Sequence, residues 1–150
     1  MRILIATDGS EFSVSAVKKA CEFLNTETSE IKIVSAFEEA LPPAIEPVYV
    51  SAEYYQRLQK DLREMAKQNV ANAADLVNEH CGGRAASVTT EVLSGYPDKA
   101  ILDAARQWNA DIIVVGSHGR GFWGRLLGSV SNGIVHHAPC SVLVVREQHK

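Results

Sequence analysis

Cysteine is scarce: Cys21, Cys81 and Cys140 are the only three in 150 residues, odd in number, far apart and without C-x-x-C spacing. That pattern argues for reduced thiols in the cytoplasm. No run approaches the roughly 20 apolar residues of a membrane span. The opening MRILIATDGS has an apolar core too short for a secretory signal, with polar and acidic residues where a cleavage site would lie, so no leader is expected. A strong excess of either charge is missing too. Fifteen Lys and Arg against eighteen Asp and Glu give −3, and no basic cluster offers a footprint for a phosphate backbone, so nucleic acid is not an expected partner. The P-loop pattern is absent because Gly124 is followed by Arg125 and Leu126. No Ser-His-Asp order, paired carboxylates or nucleophile elbow stands out, and Ser10 reads as a helix cap, so efficient catalysis is not expected. Internal repeats and low-complexity segments are also lacking.

What remains is an ordinary globular composition, 46% hydrophobic and 22% charged. A chain of this length suits one domain, 1–150, that buries roughly 70% of the surface its unfolded form would expose. Arg2 to Thr7 reads as a buried strand ending in the turn TDGS, with Asp8 at its carboxyl end. From Glu11, Val17, Ala20, Cys21 and Leu24 recur at helical spacing up to Asn25, and Ile31 to Phe37 is a second apolar strand. Pro42, Pro43 and Pro47 make Glu38 to Val50 a semi-rigid loop, a candidate lid. Ser51 to His80 carries Tyr54, Leu58, Leu62, Met65, Ala73, Leu76 and Val77 on a long helix stopped by Gly82 and Gly83. Ser87 to Leu93 alternates as a strand with one wet side, which suggests a sheet edge. Pro97 opens a helix with Ala100, Ile101, Ala104 and Trp108 on one face. The chain closes with a strand from Asp111 to Val115, a helix bearing Leu127, Val130 and Ile134, and a strand from Ser141 to Val145. Five strands alternating with four helices specify an α/β sheet covered on both faces, in which ligands bind beyond the carboxyl ends of the strands where the strand order reverses.

The stretch Asp111 to Ser131, DIIVVGSHGRGFWGRLLGSVS, organises the rest. Glycines 116, 119, 121 and 124 lie between a parallel strand and a helix opened by Gly128, Ser129 and Ser131. Such a turn gathers backbone N–H groups and the positive end of a helix dipole, which suits phosphate. Two sharper patterns are weaker than they look. GRGFWG matches G-x-G-x-x-G but lies several residues after its strand, with only the final strand left to supply a ribose-binding acid. His136, His137 and Cys140 have metal-ligand chemistry, yet adjacent helical histidines point apart and no fourth ligand is near.

TDGS, the turn of Gly95 and Pro97, VVGSHGRG, LLGSVS and HHAPCSVLVVR together resemble the universal stress protein family over nearly the whole chain. The resemblance implies a single doubly wound, Rossmann-like domain with a five-stranded parallel sheet of order 3-2-1-4-5. It implies frequent homodimers paired through the last strand, here Val142, Leu143, Val144 and Val145. It also implies two branches: one binds ATP with a loop G-x2-G-x9-G-[ST], the other lacks the loop and binds no nucleotide. In this sequence Gly116, two residues, Gly119, eight residues, Gly128 and Ser129 leave the second spacer one residue short. Gly121 and Gly124 could absorb the shortening. Carried over position by position, Asp8 contacts the ribose or adenine side and the backbone of Ala36 meets adenine. Gly116 and Gly119 admit the phosphates, while Ser129 with the N–H groups of Val130 and Ser131 holds them at the helix start. Arg120 neutralises phosphate charge or is a solvated loop arginine; Ser117 and His118 belong to the matched GSHG, where His118 shapes the turn. Any Mg²⁺ or Mn²⁺ would sit only on the nucleotide's phosphates, and hydrolysis would be slow at most. The expected role is a stress-response protein whose ATP occupancy alters a surface for an unknown protein partner. The alternative is a stress-linked dimeric interaction module without nucleotide.

Overall fold

The computed structural model describes residues 1–24, 28–39, 51–82, 85, 87–118 and 127–146. The segments holding Pro42, Pro43, Pro47, Gly83, Gly119, Arg120, Gly121 and Gly124 lie outside the described residues.

The first strand, β1 (Arg2–Ala6), is apolar from its second residue on because it is covered twice. Ile3 and Ile5 enter one core with α1 (Glu11–Phe23) and α2 (Ala52–His80). Leu4 and Ala6 enter the other with α3 (Pro97–Trp108) and α4 (Ser129–His137). The remaining strands are β2 (Glu30–Phe37), β3 (Ser87–Ser94), β4 (Ile112–Gly116) and β5 (Ser141–Val145). All pair in parallel, in the order β3-β2-β1-β4-β5. The chain therefore winds outward from β1 to β3 in one direction and from β4 to β5 in the other. The two halves part at the carboxyl ends of β1 and β4, which opens a crevice there.

Each helix has a local reason for its bounds. Ser10 accepts a hydrogen bond from the Ser13 amide and starts α1, and Ser51 accepts one from the Tyr54 amide and starts α2. Pro97 occupies the first turn of α3, where its missing N–H goes unmissed. β3 is an edge strand, and Thr89 and Glu91 are exposed on it as the alternation suggests, but Thr90, which the alternation sets with Val88 and Val92, is exposed as well.

Two expectations are corrected. Tyr54 and Met65 are exposed, and the buried stripe of α2 begins at Ala66. A helix of 29 residues is about 43 Å long, whereas the eight residues of β2 or β3 span about 26 Å, so its first half outruns the sheet. Cys21 and Cys81, expected as free thiols, form a disulfide between α1 and the C-cap of α2, with Cα atoms 5.2 Å apart. The two helices pack on one face of the sheet and bring together residues 60 positions apart, a proximity that spacing cannot reveal. The cysteines thus give no argument for a reducing compartment. Cys140 is free, and partial burial beside the Asp111 carboxylate pushes its thiol upward against an opposing backbone hydrogen bond from Ile113. Among the described residues no helix is long and apolar enough to cross a membrane.

Candidate functional site

The crevice is built from three strand ends and one helix start. Beyond β1, the Thr7 amide still donates to Val34 O at 2.9 Å, which keeps the chain against β2 for one more residue. Gly9 then turns it at φ 75°, a conformation that an L side chain resists. Asp8 is held inside that turn: the amide and the hydroxyl of Ser10 both donate to its Oδ1, at 3.0 and 2.6 Å.

Beyond β4, Gly116 runs under the first turn of α1 so closely that a Cβ would lie 2.8 Å from Phe12 C and O. The Ser117 amide donates to Val145 O at 2.8 Å, and Ser117 O accepts from the Gly128 amide at 2.8 Å and from the Ser131 hydroxyl at 2.9 Å. The two ends of the glycine loop are therefore pinned to each other. Ser117 Oγ and His118 Nδ1 share a hydrogen bond of 3.0 Å, and the His118 ring packs on Phe12 with centroids 5.3 Å apart.

The helix start completes the ring. Gly128 caps α4, and the first helical hydrogen bond runs from the Asn132 amide to Gly128 O at 2.9 Å. The amides of Ser129, Val130 and Ser131 precede it and present the positive end of the helix dipole. The Ser131 hydroxyl is buried and turned to Ser117 O and Gly128 O, so that side chain braces the helix start while its amide is one of those that precede the first helical bond.

Together these elements enclose a cavity of about 570 Å³, a size typical of small-molecule sites. Asp8, Ala36, Gly116, His118, Gly128, Ser129, Val130 and Ser131 line it, so most of the residues expected from sequence converge on one place. Ser117 stands behind the wall, 1% exposed; Gly119 and Arg120 lie outside the described residues. The sequence reading missed Ala6, Thr7, Ser13, Pro97, Ile101, Val115 and Leu127. Pro97, Val115 and Leu127 stand in matched motifs but were given no site role, Ala6 signalled only core, and Ile101 had already been assigned to a helix face. Ser13 carried no motif and Thr7 opens TDGS without a site role of its own, yet both are buried and their hydroxyls are 3.0 Å apart, Thr7 donating to Ser13.

Among the described residues, no three His, Cys, Asp or Glu side chains come together as a metal site. His136 and His137 sit exposed at the end of α4, ring centroids 6.4 Å apart. Val142, Leu143 and Val144 on β5 are half-buried, and Val145 is in the core. Among the described residues β5 pairs only with β4, and no strand lies along its other edge.

Residues 1–146 match the universal stress protein family. The universal stress protein MJ0531 of Methanocaldococcus jannaschii is 32% identical over 150 residues, covering 99% of this chain and 84% of that protein. The solved structure of the protein MJ0577 superposes with a TM-score of 0.77 at 27% identity, covering 99% and 97% of the two chains. Likeness in fold alone extends to two ligand complexes. One is a universal stress protein with cAMP, at TM-score 0.63, 23% identity and coverage of 97% and 96%. The other is the Arabidopsis thaliana family protein At3g01520 with AMP, at TM-score 0.59, 20% identity and coverage of 99% and 92%.

Proposed function

The chain belongs to the universal stress protein family, and from that premise we propose that the crevice between β1 and β4 binds an adenine nucleotide, with ATP as its ligand. One juxtaposition carries this reading: the leading amides of α4 and the Asp8 carboxylate border the same apolar-walled cavity. Helix-start amides suit phosphate oxygens, a carboxylate accepts from ribose hydroxyls or an adenine amino group, and Ala36, Ile101 and Val115 offer an apolar slot for a base. The AMP and cAMP complexes of fold neighbours support adenine as the ligand class. The shortened spacer is compatible with this, because the Gly128 amide already bonds Ser117 O and the loop between Gly119 and Gly128 need only leave and return to one point. Gly119 and Arg120 would add a close backbone and a positive charge on that loop. Mg²⁺ or Mn²⁺ would be held through the phosphates, and any hydrolysis would be slow, arising from positioning alone.

Occupancy of the site then acts as a signal to a protein partner, and a homodimer forms through the open edge of β5. Calorimetric titration with ATP and Mg²⁺, alongside mass spectrometry of ligand released from purified protein, tests the central claim. Saturable binding with bound adenine nucleotide is expected. The missing residue of the spacer favours one rival, a dimeric interaction module without nucleotide. Absence of binding at millimolar ATP would decide for it.

A further inference from the structure

We propose that Ser10 is a positioning residue for the ligand, one that acts by holding the Asp8 carboxylate in a single orientation; the inference rests on the adenine-nucleotide reading of the crevice. Ser10 is the N-cap of α1, and a cap needs only an acceptor. Its Oγ supplies that acceptor to the Ser13 amide at 3.3 Å. The much shorter contact is the one it donates, 2.6 Å to Asp8 Oδ1, joined on the same oxygen by its own amide at 3.0 Å. Donation to a carboxylate is charge-assisted and contributes nothing to capping. Asp or Asn would cap α1 as well as Ser does, but a hydroxyl is the small group that accepts from the helix and donates to Asp8 at once.

The surroundings keep Ser10 from turning away. Ser13 donates to Ser10 O at 2.9 Å, Thr7 donates to Ser13 Oγ at 3.0 Å, and the Gly9 amide donates to Thr7 Oγ1 at 3.2 Å. Thr7, Ser10 and Ser13 are each no more than 9% exposed, so water competes little for these bonds. The carboxylate therefore reaches the cavity already oriented, and binding does not have to stop its rotation.

The test separates clamp from cap and from the nucleotide reading. Glycine is a tolerated N-cap without a hydroxyl, so Ser10→Gly should fold with a near-native melting temperature yet bind ATP about tenfold more weakly. Ser10→Thr should restore most of the affinity. In an Asp8→Ala background, Ser10→Gly should produce no further loss of affinity, because the clamp has nothing left to hold. Native-like binding by Ser10→Gly, or an equal loss in both backgrounds, overturns the clamp while leaving the nucleotide site standing. If Asp8→Ala binds ATP as the native protein does, the clamp falls because its object is not a ligand contact. If the native protein itself binds no ATP, the nucleotide reading has failed and the clamp fails with it.

Discussion

Gly116 and Gly133 both lie where helices pass close, and they should respond differently to a methyl group. At Gly116 the new atom would meet Phe12 backbone carbon and oxygen at 2.8 Å, and neither can move without shifting the start of α1. At Gly133, in α4, the nearest atom is Asp98 Oδ2 at 2.7 Å, the end of a side chain that can rotate, although Asp98 Cβ at 3.1 Å limits the relief. Gly116→Ala should therefore destabilise the protein by about 1–3 kcal/mol, and Gly133→Ala by less. Urea unfolding midpoints check the ranking, and a native midpoint for Gly116→Ala would mean that α1 yields to the methyl. At this scale much of the site was legible. Asp8, Gly128 and Ser129 announce a turn and a helix start through residue chemistry alone. Thr7 and Ser13 were not legible, since a hydroxyl in sequence gives no sign that it will be buried against another.

Elements read from periodicity held to within about a residue or two at their ends, as strand and helix periods predict. What periodicity does not carry is the length of neighbouring elements, and that decided the fate of Tyr54 and Met65 on the overhanging half of α2. Nor does it carry proximity between elements, which joined Cys21 to Cys81. A bridge across 60 residues removes chain entropy from the unfolded state worth about 4 kcal/mol on the loop-closure model. That is a large share of the roughly 5–15 kcal/mol that holds a domain folded. Reduction, or the paired replacement Cys21→Ala with Cys81→Ala, should lower the unfolding free energy by an amount of that order. Denaturant titration with and without reductant measures it, and a thiol count in denaturant without reductant should find one free group, Cys140. Three reactive thiols would mean that the bridge does not form.

The whole molecule has two sheet edges of opposite character. β3 presents Thr89, Thr90 and Glu91 to solvent, which discourages pairing, whereas β5 carries Val142, Leu143 and Val144 half-buried beside a ladder that no strand among the described residues fills. A second copy is therefore expected at β5. Leu143→Lys should shift the mass seen by light scattering from dimer to monomer, with the fold retained by circular dichroism; an unchanged dimer would put the interface elsewhere. The close passage of Gly116 beneath Phe12 also bears on inheritance. Selection on packing alone would keep that glycine in a descendant that had given up every ligand. Its presence in a relative thus says that α1 still rests on the end of β4, and the record of whether nucleotide was retained must be sought in the loop that leaves from there.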